Sequence, residues 1–162
     1  MFRLSEGRFA RVEGLPELAL PVLALYEDGM NRLWIGTPRG PVSHRDGAFR
    51  LHPLRPEGGD FDIRAMAEDG SGGLWVGTIG HGLFHLAGER VQQMGASDGF
   101  PSPNARALFR DRAGTLWVGS YGAGLFRYRD GRFAAYGIGD GLASDSICAI
   151  VDDPDRKSTR LN

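Results

Sequence analysis

One phrase recurs three times along this chain and constrains its architecture: LYEDGMNRLWIGT (Leu25–Thr37), MAEDGSGGLWVGT (Met66–Thr78) and LFRDRAGTLWVGS (Leu108–Ser120). Within it Trp34, Trp75 and Trp117 stand 41 and 42 residues apart. A period near 40 residues, carrying four short strand-like runs, is the length of one propeller blade. Each unit opens on an apolar run, Val22–Tyr26, Ile63–Ala67 or Ala105–Phe109, with a fourth copy at Ile147–Val151. A turn led by an aspartate follows, then the tryptophan strand, a third strand from Val42, Leu83 or Leu125, and a fourth around Phe49, Val91 or Phe133. Strands this short, separated by Gly/Asp turns, leave no room for helices between them.

The tryptophan strand LWVG is apolar at both alternating positions, so neither face is meant for water, as in a blade sandwiched between its neighbours. The fourth strand is more polar and suits an outer edge, which places the LYED-type run innermost. The expectation is an all-β β-propeller with three complete four-stranded blades and partial blades at both ends. That pattern fits either a fragment of a larger propeller or a four-bladed ring. The blades fall at about 21–60, 61–103 and 104–144. A partial blade occupies 1–20, because Met1–Val12 matches the third and fourth strands of Gly124–Tyr136. The first strand of a next blade covers 146–153, and 154–162 forms a non-repeat tail, read as a truncation or an assembly scar.

Composition narrows the partners. The formal net charge is −1 with Arg and Asp interspersed, so no basic stripe points to nucleic acid or to an anionic membrane. The 25 glycines recur at fixed repeat positions and read as turn and close-packing residues. The single cysteine, Cys148, cannot form an internal disulfide and reads as a small buried residue of an inner strand. Residues 1–20 hold no signal-peptide core, and no stretch approaches the roughly 20 apolar residues of a membrane span.

The repeated residues read as structure. Trp34, Trp75 and Trp117 pack between blades. Asp28, Asp69 and Asp111 head Asx-type turns. Gly36, Gly77 and Gly119 give room for an indole or for a neighbouring backbone. No phosphate-cradling motif is present, no cofactor is implied, and no ligand set for a metal is found; His81 and His85 straddle a turn without supporting carboxylates or cysteines. His44, His85 and Arg127 read as equivalent third-strand residues. Where the repeats disagree, in the turns after the tryptophan strands, Arg39, His81 and Tyr121 form a candidate ligand-binding set of a charge, a switchable donor/acceptor and an amphipathic ring.

The motif resembles the two-component regulator propeller repeat, carried here by Glu27-Asp28, Leu33–Thr37, Glu68-Asp69, Leu74–Thr78, Asp111, Leu116–Ser120, Asp98-Gly99-Phe100 and Asp140-Gly141-Leu142. GTPRGPVSH (Gly36–His44) departs from it, with Pro41 in place of the glycine found at Gly82 and Gly124. The resemblance implies a non-catalytic, periplasmic or otherwise extracytoplasmic sensor region of a hybrid two-component histidine kinase. It implies a small-molecule ligand such as an oligosaccharide, neighbouring blades of a larger parent, and no membrane contact from this segment. Two other functions compete: a propeller enzyme of lyase or glycosidase type, and a protein-interaction scaffold.

Overall fold

The computed structural model describes residues 2–5, 8–11, 21–55 and 59–152. A hairpin of β1 (Phe2–Ser5) and β2 (Arg8–Arg11) comes first, with Ser5 opposite Arg8 and Phe2 opposite Arg11. Three antiparallel sheets follow, each a four-stranded meander. The first holds β3 (Ala24–Glu27), β4 (Leu33–Thr37), β5 (Gly40–Arg45) and β6 (Ala48–Leu51). The second holds β7 (Asp62–Glu68), β8 (Leu74–Ile79), β9 (Leu83–Ala87) and β10 (Arg90–Met94). The third holds β11 (Ala105–Arg110), β12 (Leu116–Ser120), β13 (Leu125–Arg129) and β14 (Arg132–Tyr136). The sheets meet at their first strands, β3 on β7 and β7 on β11.

Strand alternation builds the core between sheets. Leu74 and Val76 of β8 join Trp34, Ile63, Met66, Phe84 and Leu86 in one cluster. Trp75, the residue between them, joins Leu83, Phe100, Ala105, Leu116, Val118 and Phe126 in the other. One strand thus feeds two cores, which is why LWVG has no polar position. The glycine two places after each tryptophan serves the neighbour rather than the indole. A Cβ on Gly77 would lie 2.6 Å from the Ala105 carbonyl oxygen, one on Gly36 2.9 Å from Ile63 Cγ2, and one on Gly119 2.8 Å from Ile147 Cγ2. In each case the contact is with the first strand, or its equivalent, of the following unit.

Three expectations from the sequence need correcting. Residues 146–152 are not a strand; Ile147 N–H donates to the Ser120 carbonyl at 2.8 Å, and no ladder partner lies among the described residues. An inner strand pairs with a tryptophan strand, and Pro154–Asn162 contains none. Cys148 is exposed rather than buried, because it follows Ile147 as Arg64 follows Ile63, at a position turned away from the core. The room between strands also admits short helical turns: Ala96–Asp98 and Ile138–Asp140 form 3-10 turns, each closed by its aspartate accepting from the N–H of Gly95 or Gly137.

The register settles the first turn. Gly36, Gly77 and Gly119 pair with Pro41, Leu83 and Leu125, so Gly40, not Pro41, is the counterpart of Gly82 and Gly124. Gly40 has φ +124°, and a Cβ there would lie 2.5 Å from the His52 carbonyl oxygen. The first turn is simply one residue shorter. By the same register His85 and Arg127 correspond to Ser43; His44 corresponds to Leu86 and stacks on Phe49 instead.

Candidate functional site

The repeated aspartates are fully used by the fold. Asp28 Oδ1 accepts the N–H groups of Met30 and Arg32, and its Oδ2 accepts the Trp34 indole N–H at 3.0 Å. Asp111 repeats this with Ala113, Thr115 and, at 2.9 Å, Trp117. In the second unit Asp69 holds Ser71 and Gly73, but its Oδ2 meets His85 Nε2 at 2.9 Å, and His85 stacks on Trp75 with centroids 4.0 Å apart. Burial alone would raise these carboxyls. Hydrogen bonds from the indoles, from His85 and from the turn N–H groups outweigh it, so all three titrate below 3.8. They anchor turn to strand.

The hydroxyl after each repeat glycine is likewise committed. Thr37, Thr78 and Ser120 are buried and donate to the carbonyls of Gly40, Gly82 and Gly124 at 2.7, 2.8 and 2.9 Å. This clamp closes the turn between the second and third strands and leaves its tip free to vary.

The three sequence-selected turn residues do not converge. Arg39 is exposed on the first turn. His81 packs edge-on to Phe61 at 5.1 Å, in a separate cleft of about 210 Å³ that also takes in Arg55, Gln93 and Pro103. Its Nδ1 is buried without a partner among the described residues. Tyr121, 59% exposed, lines a cavity of about 480 Å³ shared with Asp62, Arg64, Ile79, Asn104 and Arg106. The register explains the separation: Tyr121 corresponds to Ile79, not His81, and these two equivalent residues sit in the same cavity.

Five of the six cavity residues, all but Tyr121, were missed by sequence reasoning, the two arginines most plainly. In β7 the register shifts between Ile63 and Ala65, and in β11 between Ala105 and Ala107, so Arg64 and Arg106 are the extra residues of two equivalent bulges. A bulge re-aims a side chain that would otherwise alternate into the core, and both arginines are exposed. Arg64 pairs with Asp62 at 2.7 Å. The Arg106 guanidinium lies over the Tyr121 ring, 5.9 Å from its centroid. Asn104 bridges to Ile79 of the preceding sheet, and its Oδ1 accepts the Gly80 N–H at 3.1 Å. The cavity therefore offers guanidinium and amide donors, a phenol, and an apolar wall of Ile79 and the Tyr121 ring. The signal available in the sequence was a pair of arginines 42 residues apart, each lodged in an otherwise apolar inner strand.

The family described as Two component regulator propeller matches residues 17–39, 58–80 and 99–122. None of the curated proteins matches the chain. Among solved structures, the extracellular domain of BT3049 of B. thetaiotaomicron, named a hybrid two component system, aligns with TM-score 0.74 and 24% identity over 91% of this chain and 21% of that one. The extracellular domain of BT4673 from the same organism aligns in two structures. One, named a hybrid two component system, gives TM-score 0.67 at 20% identity over 86% of this chain and 20% of that one. The other, named a one component system, gives TM-score 0.64 at 20% identity over 82% and 19%. The chain spans about a fifth of the length of each of these structures, and its three sheets are blades of the same fold.

Proposed function

We propose that this chain, built of two-component regulator propeller repeats, is a non-catalytic ligand-recognition module of an extracytoplasmic sensor, and that it binds a small carbohydrate-like molecule. The observation that carries the proposal is the cavity around Tyr121, where variable turn and bulge residues of two successive repeats gather on an invariant frame. An exposed aromatic ring beside guanidinium and amide donors is what a sugar requires: an apolar face for its C–H surface and donors for its hydroxyls. Arg39 and His81 stand outside this assignment, and Tyr121 is its ring.

The reading as a binding module rather than a glycosidase rests on charge chemistry. Hydrolysis of a glycoside ordinarily needs two carboxylates flanking the bond. The cavity contains one, Asp62, already paired with Arg64. Signal output follows from differential affinity for two arrangements of the parent protein, the ligand shifting the population toward the one it binds better.

The test is a titration of the 162-residue chain with neutral and acidic mono- and disaccharides, followed through backbone amide chemical shifts. Perturbations centred on Asp62, Ile79, Asn104, Arg106 and Tyr121, lost in Tyr121→Ala, are expected. A response confined to the cleft of Arg55, His81 and Gln93, or turnover of any glycan, would reject the assignment.

A further inference from the structure

Accepting that a sugar-like ligand occupies the cavity around Tyr121, we infer that this ligand carries a carboxylate on its ring, as a uronic acid does, and that Arg106 receives it. The argument comes from comparing one position across two repeats. Arg64 and Arg106 are the bulge residues of equivalent strands. Two places before Arg64 stands Asp62, and its Oδ2 accepts from the guanidinium at 2.7 Å. Two places before Arg106 stands Asn104. The amide is nearly isosteric with the carboxylate but neutral, and its Oδ1 is taken by the Gly80 N–H. Among the described residues Arg106 makes no ion pair, so the second repeat supplies its own anion and the third leaves the place for one.

The charge balance of the cavity says the same. Arg64 and Arg106 against Asp62 leave one positive charge, which a monoanion neutralises and a phosphate dianion would over-fill. A guanidinium fork takes a planar carboxylate through two parallel N–H···O bonds. The Tyr121 ring beneath Arg106 then lies where the ring bearing that carboxylate would rest, with Ile79 continuing the apolar surface. A carboxylate without a ring would engage only the arginine, and a neutral sugar only the aromatic wall and amide.

The experiment compares glucuronate and galacturonate with glucose, galactose, acetate and glucose 6-sulfate, using the full chain. Both uronates are expected to bind about tenfold tighter than their neutral parents, the value of one charge-assisted pair in a solvated site. Acetate should bind more weakly than either uronate. Asn104→Asp recreates the Asp62–Arg64 arrangement around Arg106 and should erase the uronate preference. Asp62→Asn frees Arg64 and should raise uronate affinity several-fold, a gain that misfolding cannot imitate. Equal binding of glucuronate and glucose, with both lost in Tyr121→Ala, would overturn the carboxylate inference and leave the ligand face standing. Stronger binding of glucose 6-sulfate than of glucuronate, or an unchanged affinity in Asp62→Asn, would overturn it as well. Absence of binding by every sugar in the panel would remove the underlying reading too.

Discussion

Between the first and second sheets, Tyr26, Gly29, Arg32, Arg50 and Arg55 each bond to a residue 38 to 42 positions later. Between the second and third sheets the bond from Gly80 to Asn104 remains, and rings supply most other contacts: Trp75 on Tyr128 at 5.0 Å, Phe100 on Phe126 at 4.8 Å and Phe100 on Phe133 at 5.5 Å. In both seams the repeat glycine of one sheet meets the first strand of the next, at the Ile63 side chain in the first seam and at the Ala105 backbone in the second. The glycine contact thus recurs, while the chemistry of the seam differs. Such variation lets a repeat architecture diverge at its loops and bulges without losing its stack.

The largest expected effect tests whether indole burial between sheets holds the stack. Trp75 is 3% exposed and covered by the third sheet, whereas Trp117 is only half-buried among the described residues. Trp75→Ala should cost about 3–5 kcal/mol in denaturant unfolding, and Trp117→Ala roughly half that, since cavity cost scales with the packing removed. Equal losses at the two sites would break the contrast.

The next effect distinguishes the two seams at the glycine. On Gly77 a Cβ would meet the Ala105 backbone oxygen at 2.6 Å, which cannot move without shifting a strand; on Gly36 it would meet the Ile63 Cγ2 methyl at 2.9 Å, where a small side-chain shift gives some relief although the residue is buried and stiff at χ1. Gly77→Ala should therefore cost about 2–3 kcal/mol and Gly36→Ala about 1 kcal/mol, the usual range for overpacking. The same unfolding assay reads both, and a reversed order would deny the close approach its role.

These contrasts also show what could be read from the sequence. The stack was legible because Trp34, Trp75 and Trp117 recur in register and each LWVG-type run needs two buried faces. The site was much less so. A one-residue shortening of the first turn slides Arg39 and Pro41 out of register, and only the strand pairing, with Gly40 at positive φ, restores it. The bulges at Arg64 and Arg106 were hidden because alternation rules assign such residues a face without revealing that a register shift has re-aimed them. Asp62 and Asn104 stand one place before Ile63 and Ala105, and they are seen as equivalent only because those residues pair with the matching Thr78 and Ser120.

A smaller effect falls on the polar seam alone. The Tyr26 hydroxyl accepts the Glu68 N–H at 3.1 Å across the first seam, and burial, ahead of the opposing hydrogen bond, raises its pKa. The corresponding residue of the second unit is Ala67, which has no such reach. Tyr26→Phe leaves the half-buried N–H without its partner and should cost about 1 kcal/mol. Faster amide exchange at Glu68, with little change at Arg110, would locate the loss in the first seam; uniform exchange across both seams would not fit.

The smallest effect concerns acid, and it too separates the units. One position packs beside each repeat tryptophan: His52 near Trp34 at 5.0 Å, Met94 in the cluster around Trp75, and Tyr136 near Trp117 at 6.3 Å. Only the first can titrate near neutrality. Burial, then the positive charges of Arg50 and Arg32, lower the His52 pKa from 6.5 despite Glu89. The imidazole is held neutral beside Ser43, its hydroxyl 2.9 Å away. A histidine whose folded pKa is depressed contributes stability that is complete above the unfolded value of 6.5. That contribution is lost as pH falls from there through the folded value, because the unfolded chain takes up the proton first. The thermal midpoint should accordingly decline below pH 6.5, before the three aspartates begin to protonate below 3.8. His52→Met, which installs the residue of the second unit, should flatten that decline while leaving the acid limb of the aspartates in place. A decline that persists in His52→Met would put the proton elsewhere and would remove the distinction between the first unit and the other two.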